Sequence, residues 1–467
     1  MKPTISRFWM SRVIGMVACG FVLNAQDSDI LIKIKGNGDR PKLAVPDFRG
    51  AGDAQNVMNT FNGTLWNELS GSGVLELVPK TGYPLEVPQQ PADFKAPTTT
   101  NPGRRGQQPQ TVRNGPWLTD WSSAPVSADY LAFGYSGVQD GRLVLFGWLY
   151  NLSQATPASA QTIGKLYFGS LNEEGARQVA REFAADILAQ FNAVGLAGSK
   201  IFFVSDRTGN KEIWSMDYDG SNQKQLTNYK SISAYVGVSP DGKLFGFTTW
   251  AQGNPKIMIY SVETGKRLTF LNPVSSMVST PEFSPDGKKL YFAATVDDWP
   301  QLCVADIDGG NMQRISHVRA IEVSPKINPK TGRDMLFISG RSGPEQLYHM
   351  NLDGTEMERL TPGTGEVDNP AWHKDGQFIA YAWTAGYEPG AFNIFIMDVG
   401  KKEPIQLTHG NGVNENPWWA PDGLHIVFTT RRGRSTQIYT MLADGTNVQQ
   451  LTTQGNNFQP VWVKGIN

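Results

Sequence analysis

The chain has little cysteine, little charge and no long apolar run. Cys19 and Cys303 are the only two cysteines in 467 residues. Cys19 falls in a segment expected to be removed on export, which leaves Cys303 without an intrachain partner. A disulfide framework is therefore excluded even in an oxidising compartment, and the fold must be held by its core. Charged residues amount to 18% and the formal net charge is -1. Phosphate binding needs a concentrated basic surface that this balance does not supply, so no nucleic acid is expected as a partner. Beyond the first residues no stretch approaches the roughly 18 apolar residues of a membrane span. Catalytic constellations are missing too. The strings Gly134-Tyr135-Ser136-Gly137 and Gly340-Arg341-Ser342-Gly343 lack the fifth-position glycine of a nucleophile elbow. The five histidines, His317, His349, His373, His409 and His425, never fall at metal-ligand spacing. Neither an enzyme nor a metal site is expected.

The chain is rich in glycine (49), tryptophan (13) and phenylalanine (23), with 40% apolar residues. That suits many short strands joined by tight turns. Its start reads as an export signal over residues 1–25: Lys2, Arg7 and Arg12 form a basic head, Val13 to Leu23 an apolar stretch, and Ala25 a small residue for cleavage. A lipoprotein reading at Cys19 leaves almost no apolar segment after Arg12, so cleavage after Ala25 is favoured. Removing those three basic residues moves the formal charge from -1 to -4.

From residue 200 onward the sequence repeats itself six times. Turn glycines recur at Gly220, Gly265, Gly309, Gly354, Gly400 and Gly445, and a second series, mostly in Ser-Pro-Asp-Gly, at Gly242, Gly287, Gly332, Gly376, Gly423 and Gly465. A Leu-Thr pair or its equivalent follows each first glycine, as at Leu226-Thr227 and Leu451-Thr452. Three markers in one register of about 45 residues specify a repeat architecture. The unit 416–452 reads as four antiparallel strands, with Pro417 to Ala420 as the first, which is a propeller blade. The first unit begins at Ile201, on what is elsewhere the second strand. Gln459-Pro460-Val461-Trp462-Val463 is left over at the far end and resembles Asn416-Pro417-Trp418-Trp419-Ala420. The expected fold is mainly β: a six-bladed β-propeller over 196–467 whose C-terminal strand completes the first blade, with edges hidden by ring closure.

Residues 26–195 do not repeat and are expected to form a smaller α/β domain. Ala54 to Leu69 and Asn172 to Asn192 carry helical apolar stripes, while Leu131 to Tyr135 and Arg142 to Leu152 read as strands. The stretch 87–116, with its prolines, threonine run and Arg104-Arg105, keeps no hydrophobic period and is expected to be a mobile insertion. The turn aspartates, such as Asp219, Asp241, Asp422 and Asp444, are expected to bond turn backbone. The interblade loops contain Tyr229, Tyr235, Met277, His317, Arg319, Glu366, Asp368, Asn369, Asn411, Asn414 and Asn416. They mix aromatic, amide and charged types without a core period, as a protein-recognition rim does.

Gly38-Asp39-Arg40-Pro41 with Leu43-Ala44-Val45-Pro46-Asp47-Phe48, then Asp217-Tyr218-Asp219-Gly220-Ser221-Asn222-Gln223, and the Ser-Pro-Asp-Gly turns at Ser239 and Ser284 carry a resemblance. The chain resembles the TolB family, periplasmic propellers of the Tol-Pal cell-envelope system, over nearly all of its length after the signal. The insertion at 87–116 and the closing Lys464-Gly465-Ile466-Asn467 depart from the family pattern. The resemblance implies a monomeric scaffold in the periplasm. Its propeller would hold Pal, a peptidoglycan-associated lipoprotein, and so lie peripheral to the outer membrane; the segment Gln26 to Lys35 would engage TolA. It implies no cofactor, although a cation in the propeller channel stays open. Two other classes share such blades: a propeller attached to a peptidase domain, for which residues 29 to 195 are too short, and a carbohydrate-binding propeller.

Overall fold

A computed structural model describes residues 40–100, 110–386, 390–410 and 412–465. The expected export signal and the segment Gln26 to Lys35 lie outside the described residues. So does Asn411.

The N-terminal part is built on a mixed sheet. Its strands in chain order are β1 (Lys42–Ala44), β2 (Arg49–Gly50), β3 (Glu76–Leu77), β6 (Tyr130–Gln139), β7 (Arg142–Asn151) and β8 (Gln161–Ser170), with a separate hairpin of β4 (Thr98–Thr100) and β5 (Gln110–Val112). The sheet order is β3-β1-β6-β7-β8; β1 runs parallel to β3 and β6, and the β6-β7-β8 meander is antiparallel. Helices α1 (Met58–Gly71) and α2 (Glu173–Ala189) cover one face. Met58, Phe61, Leu65 and Leu69 of α1 meet Ala176, Val179, Phe183 and Ile187 of α2 over Leu143, Leu145 and Leu149. Asn172 caps α2, its Oδ1 accepting the Gly175 N–H at 2.9 Å, and Glu173 and Glu174 follow in the first turn where the helix dipole favours anions.

Part of the stretch 87–116 packs on the sheet. Phe94 is buried, with its ring 5.3 Å from Phe133 and 5.4 Å from Tyr150. With Leu118, Trp121 and Val126 it covers part of the sheet face opposite the helices. One aromatic anchor in a polar stretch leaves no periodicity to read, yet it buries enough surface to tie the chain down.

Six four-stranded sheets follow. Blade 1 is ordered Asn457–Val463, Lys200–Ser205, Glu212–Asp217 and Lys224–Gln225 from channel to rim, so the last strand of the chain is the inner strand of the first blade. Blades 2 to 6 are each contiguous, as in blade 6 with Val413–Trp419, His425–Arg432, Ser435–Leu442 and Gln449–Gln450. Its inner strand thus starts earlier than the expected Pro417. Trp462 fastens the closure: its indole N–H donates to Ser199 Oγ at 2.9 Å, and its carbonyl accepts the Trp418 indole N–H at 3.1 Å.

The Leu-Thr marker has a physical cause. In blade 4 the Thr361 hydroxyl accepts the Leu347 N–H at 3.2 Å and donates to the buried Gln346 Oε1 at 2.9 Å, tying the outer strand to the third. Thr227 with Glu212, Ser316 with Gln301, Thr408 with Asn393 and Thr452 with Gln437 repeat the lock. Blade 2 uses Asn272 on Ile257 instead. The turn aspartates accept backbone N–H groups two residues on, as Asp241 does from Lys243 at 3.1 Å and Asp444 from Thr446 at 2.9 Å.

The N-terminal part sits on the face where the inner strands end. His425 bridges the domains, with Nδ1 2.6 Å from Asp422 Oδ2 and Nε2 2.8 Å from the Gly71 carbonyl at the end of α1. Arg181 of α2 reaches Asp219 at 3.0 Å, Tyr218 at 3.1 Å and Glu68 at 3.4 Å, and Tyr218 donates to Glu68. Gly73, at φ 72°, lets the backbone lie against Leu442 where a Cβ would approach a methyl to 2.7 Å.

Candidate binding face at the channel mouth

The opposite face carries the starts of the inner strands. Every inner strand slips register once, and the residue at each slip adopts a left-handed backbone: Tyr235 (φ 55°), Thr280 (53°), Ser324 (57°), Asn369 (51°), Asn416 (54°) and Gln459 (50°). Proline follows five of them. Such conformations are costly for tyrosine and threonine and persist only where surroundings over-determine them. Here the support comes from neighbouring blades. The Ser324 N–H donates to Thr280 Oγ1 at 3.4 Å, the Asn416 amide to Asn369 Oδ1, the Gln459 N–H to Asn416 Oδ1 at 3.4 Å, and the Tyr235 N–H to Gln459 Oε1 at 2.8 Å. The result is a cross-braced collar around the channel, which with the prolines that follow its residues lines a cavity of about 70 Å³.

Below the collar Lys326 pairs with Glu282 at 2.8 Å and lies 4.5 Å above the Trp418 ring. Burial pushes the Glu282 carboxyl up, against the opposing effect of Lys326. At the mouth Asp368 is open to water yet crowded by protein. That crowding first, and then the carboxylates of Glu415 and Glu345, hold its carboxyl up at about 6 despite the Asn369 N–H that it accepts. Glu415 is raised likewise by burial, with Arg431 opposing. The mouth therefore concentrates carboxylates whose ionisation is incompletely solvated, a state that a cationic partner group relieves. Among the described residues no three His, Cys, Asp or Glu side chains converge closely enough to hold a metal ion.

The structure divides the rim residues expected from the sequence. Tyr235, Asp368, Asn369 and Asn416 meet at the mouth. Glu366, His317 and Arg319 are exposed on interblade loops, and Met277 is half-buried beside them. Two residues do not belong to the rim. Asn414 is buried, its amide donating to Asn393 Oδ1 at 3.0 Å. Tyr229 turns inward, its hydroxyl 2.6 Å from that of Tyr260 and its ring 5.9 Å from Phe247. Asn414 falls on the inner strand Val413–Trp419, which starts earlier than expected, and Tyr229 lies in a loop that packs against blade 2. Thr280, Ser324, Gln459, Glu345 and Glu415 were missed. For the first three a signal existed, the x-Pro pair recurring at Thr280-Pro281, Ser324-Pro325, Asn369-Pro370, Asn416-Pro417 and Gln459-Pro460.

The geometry defines a class: a closed six-bladed propeller with an α/β domain on one face and a collar of left-handed residues toward the other. A family model described as "TolB beta propeller domain" matches residues 195–388 and 370–465. "Protein TolB homolog" of Chlorobium luteolum is 31% identical over 339 residues, 72% of this chain and 75% of the relative. The homolog of Chlorobaculum tepidum is 30% identical over 258 residues, 55% of this chain, and the chain spans about half of that relative's length (52%). Other relatives carry the name "Tol-Pal system protein TolB". The crystal structure of TolB from Acinetobacter baumannii superposes with a TM-score of 0.71 at 19% identity, covering 91% of this chain and 97% of that one, which is a likeness of fold. The chain belongs to the TolB family. Among the described residues no helix is long and apolar enough to cross a membrane.

Proposed function

We propose that this chain is a periplasmic binding scaffold of the Tol-Pal system, working by association rather than catalysis. The collar face holds the lipoprotein Pal, the segment Gln26 to Lys35 engages TolA, and the assembly supports outer-membrane integrity and cell division. The observation that carries this reading is the collar itself. Six left-handed residues braced across blades present backbone and amide groups in a fixed array, and such preorganisation reduces the ordering cost of binding. Family membership and the relatives' names support the system assigned.

The test is affinity of the mature chain for the soluble domain of Pal. Met277→Glu, Arg319→Glu and Asp368→Asn sit on or beside the mouth, outside the blade cores, and each is expected to weaken Pal binding several-fold, within the range of about 1 kcal/mol or more that separates contributing from neutral interface residues. Unchanged affinity in all three, with wild-type folding, removes this face as the Pal site. Preferential capture of glycans over envelope proteins favours the carbohydrate-binding alternative.

A further inference from the structure

In two blades the pairing of the middle strands runs farther toward the hairpin tip than in the rest. In blades 3 and 6 the middle strands run eight residues each, Lys289–Val296 with Trp299–Asp306 and His425–Arg432 with Ser435–Leu442, whereas in blades 1, 2, 4 and 5 they run six. Turn chemistry explains the extension. Asp297 (φ 51°) and Asp298 (φ 69°) both take the left-handed conformation of a type I′ turn, and Gly433 (φ 73°) before Arg434 matches the glycine-first pattern of a type II′ turn. Pairing therefore continues to Val296 with Trp299 and to Arg432 with Ser435. The other four blades part into longer loops.

In a ring of six, blades 3 and 6 are diametrically opposed, so the two hairpins face each other across the channel mouth. Their charges are opposite. One tip carries Asp297 and Asp298 beside Trp299, all exposed; Arg314 pairs with Asp297 at 2.7 Å. The other carries Arg431, Arg432 and Arg434, all exposed. Arg431 stands near Glu415, and Arg432 lies 4.7 Å above the Tyr439 ring. Neither Arg432 nor Arg434 forms an ion pair with a described residue. A flat anionic surface touching both tips would be repelled by the aspartates, and nucleic acid would meet the same obstacle. A polypeptide of mixed charge fits both.

We propose that the mouth reads charge direction in its protein partner, with the blade 6 hairpin docking an acidic segment and the blade 3 hairpin a basic one. This rests on the reading of this face as a protein-binding face. Electrostatic complementarity of this kind sets orientation and association rate more than ultimate affinity.

The experiment uses the mature full-length chain, wild type and three variants: Arg432→Gln with Arg434→Gln, Arg432→Glu with Arg434→Glu, and Asp298→Asn. Fluorescein-labelled octaglutamate, octalysine and the soluble Pal domain are titrated at about 50 mM and about 500 mM salt, since a Debye length near 10 Å at 0.1 M falls to about 3 Å at 1 M. Octaglutamate is expected to bind the wild type at low salt, about ten-fold more weakly on charge reversal and to an intermediate degree on neutralisation, with the difference vanishing at high salt. Octalysine is expected to lose affinity only in Asp298→Asn. Octaglutamate binding indifferent to the arginines overturns the proposal. So does cosedimentation with phosphatidylglycerol vesicles that depends on the same arginines, which makes the hairpin a membrane contact. If octaglutamate discriminates the variants but Pal does not bind the wild type, the assignment of Pal falls and the charge reading stands. If Pal and octaglutamate bind the wild type and the reversed chain alike, the charge reading falls and the assignment of Pal stands.

Discussion

Glu68 gives the sharpest test of the contact between the two domains. It lies on α1 against the propeller, its side chain 12% exposed, accepting from the Tyr218 hydroxyl and facing Arg181 at 3.4 Å. Burial, opposed in part by Arg181 and aided by Asp219, pushes its carboxyl up from 4.5 to about 7. The folded state thus holds a proton that the unfolded chain has already released. Stability linked to this group is complete below about pH 4.5 and is lost as pH rises through 7. At 1.36 kcal/mol per unit the full difference is about 3 kcal/mol, of which about 2.5 kcal/mol is lost between roughly pH 5 and pH 8.5. Glu68→Gln keeps the shape and accepts the same hydroxyl but cannot ionise. Urea unfolding followed by tryptophan fluorescence, run on both proteins across that range, reads the difference directly and cancels other titrations common to both. The stability of Glu68→Gln relative to wild type is expected to rise by about 2.5 kcal/mol from the acid to the alkaline end. A relative stability that stays flat within about 0.5 kcal/mol, or that falls as pH rises, would refute the reasoning, the latter because it makes the ion pair with Arg181 stronger than the cost of burial.

Three further outcomes are expected. Burial alone would depress His425, but its bonds to Asp422 and the Gly71 carbonyl outweigh that and raise it above 6.5. Its stabilising effect is therefore present below that value and fades as pH climbs through the raised one; an NMR titration placing the imidazole below 6.5 contradicts this. Trp462→Ala removes a buried ring from the closing strand and should cost about 3–5 kcal/mol of unfolding free energy, against about 1–3 kcal/mol for Trp462→Phe, which loses the bond to Ser199 and part of the ring's packing. Thr361→Val leaves the Gln346 side chain and the Leu347 N–H without their shared partner and should lower stability by about 1–3 kcal/mol in the same assay, whereas an effect under 0.3 kcal/mol would mean the Leu-Thr marker has another cause.

Repetition made the propeller legible. A turn glycine, a strand and a hydroxyl lock recur because each blade solves the same packing problem, so the period and blade count could be read without coordinates, as could the leftover strand Gln459 to Val463. The α2 stripe was legible for the same reason, a local pattern serving a local need. Phe94 was not, since a lone anchor has no period. Tyr229 and Asn414 show the converse: their positions between repeats are visible in the chain, but whether a side chain there faces water or the protein depends on neighbours more than a dozen residues away, such as Tyr260 and Asn393.

Chain order alone settled how many sheets form and which strand is displaced to the end, because those properties follow from short-range turn chemistry and apolar alternation. Ring geometry decided the rest. It brought six left-handed residues from positions 235 to 459 into one collar, set Asp297-Asp298 opposite Arg431 to Arg434, and drew Glu68, Tyr218 and Arg181 together between domains. Those contacts join residues far apart in sequence, and their energies depend on burial and on charges that only the closed structure supplies.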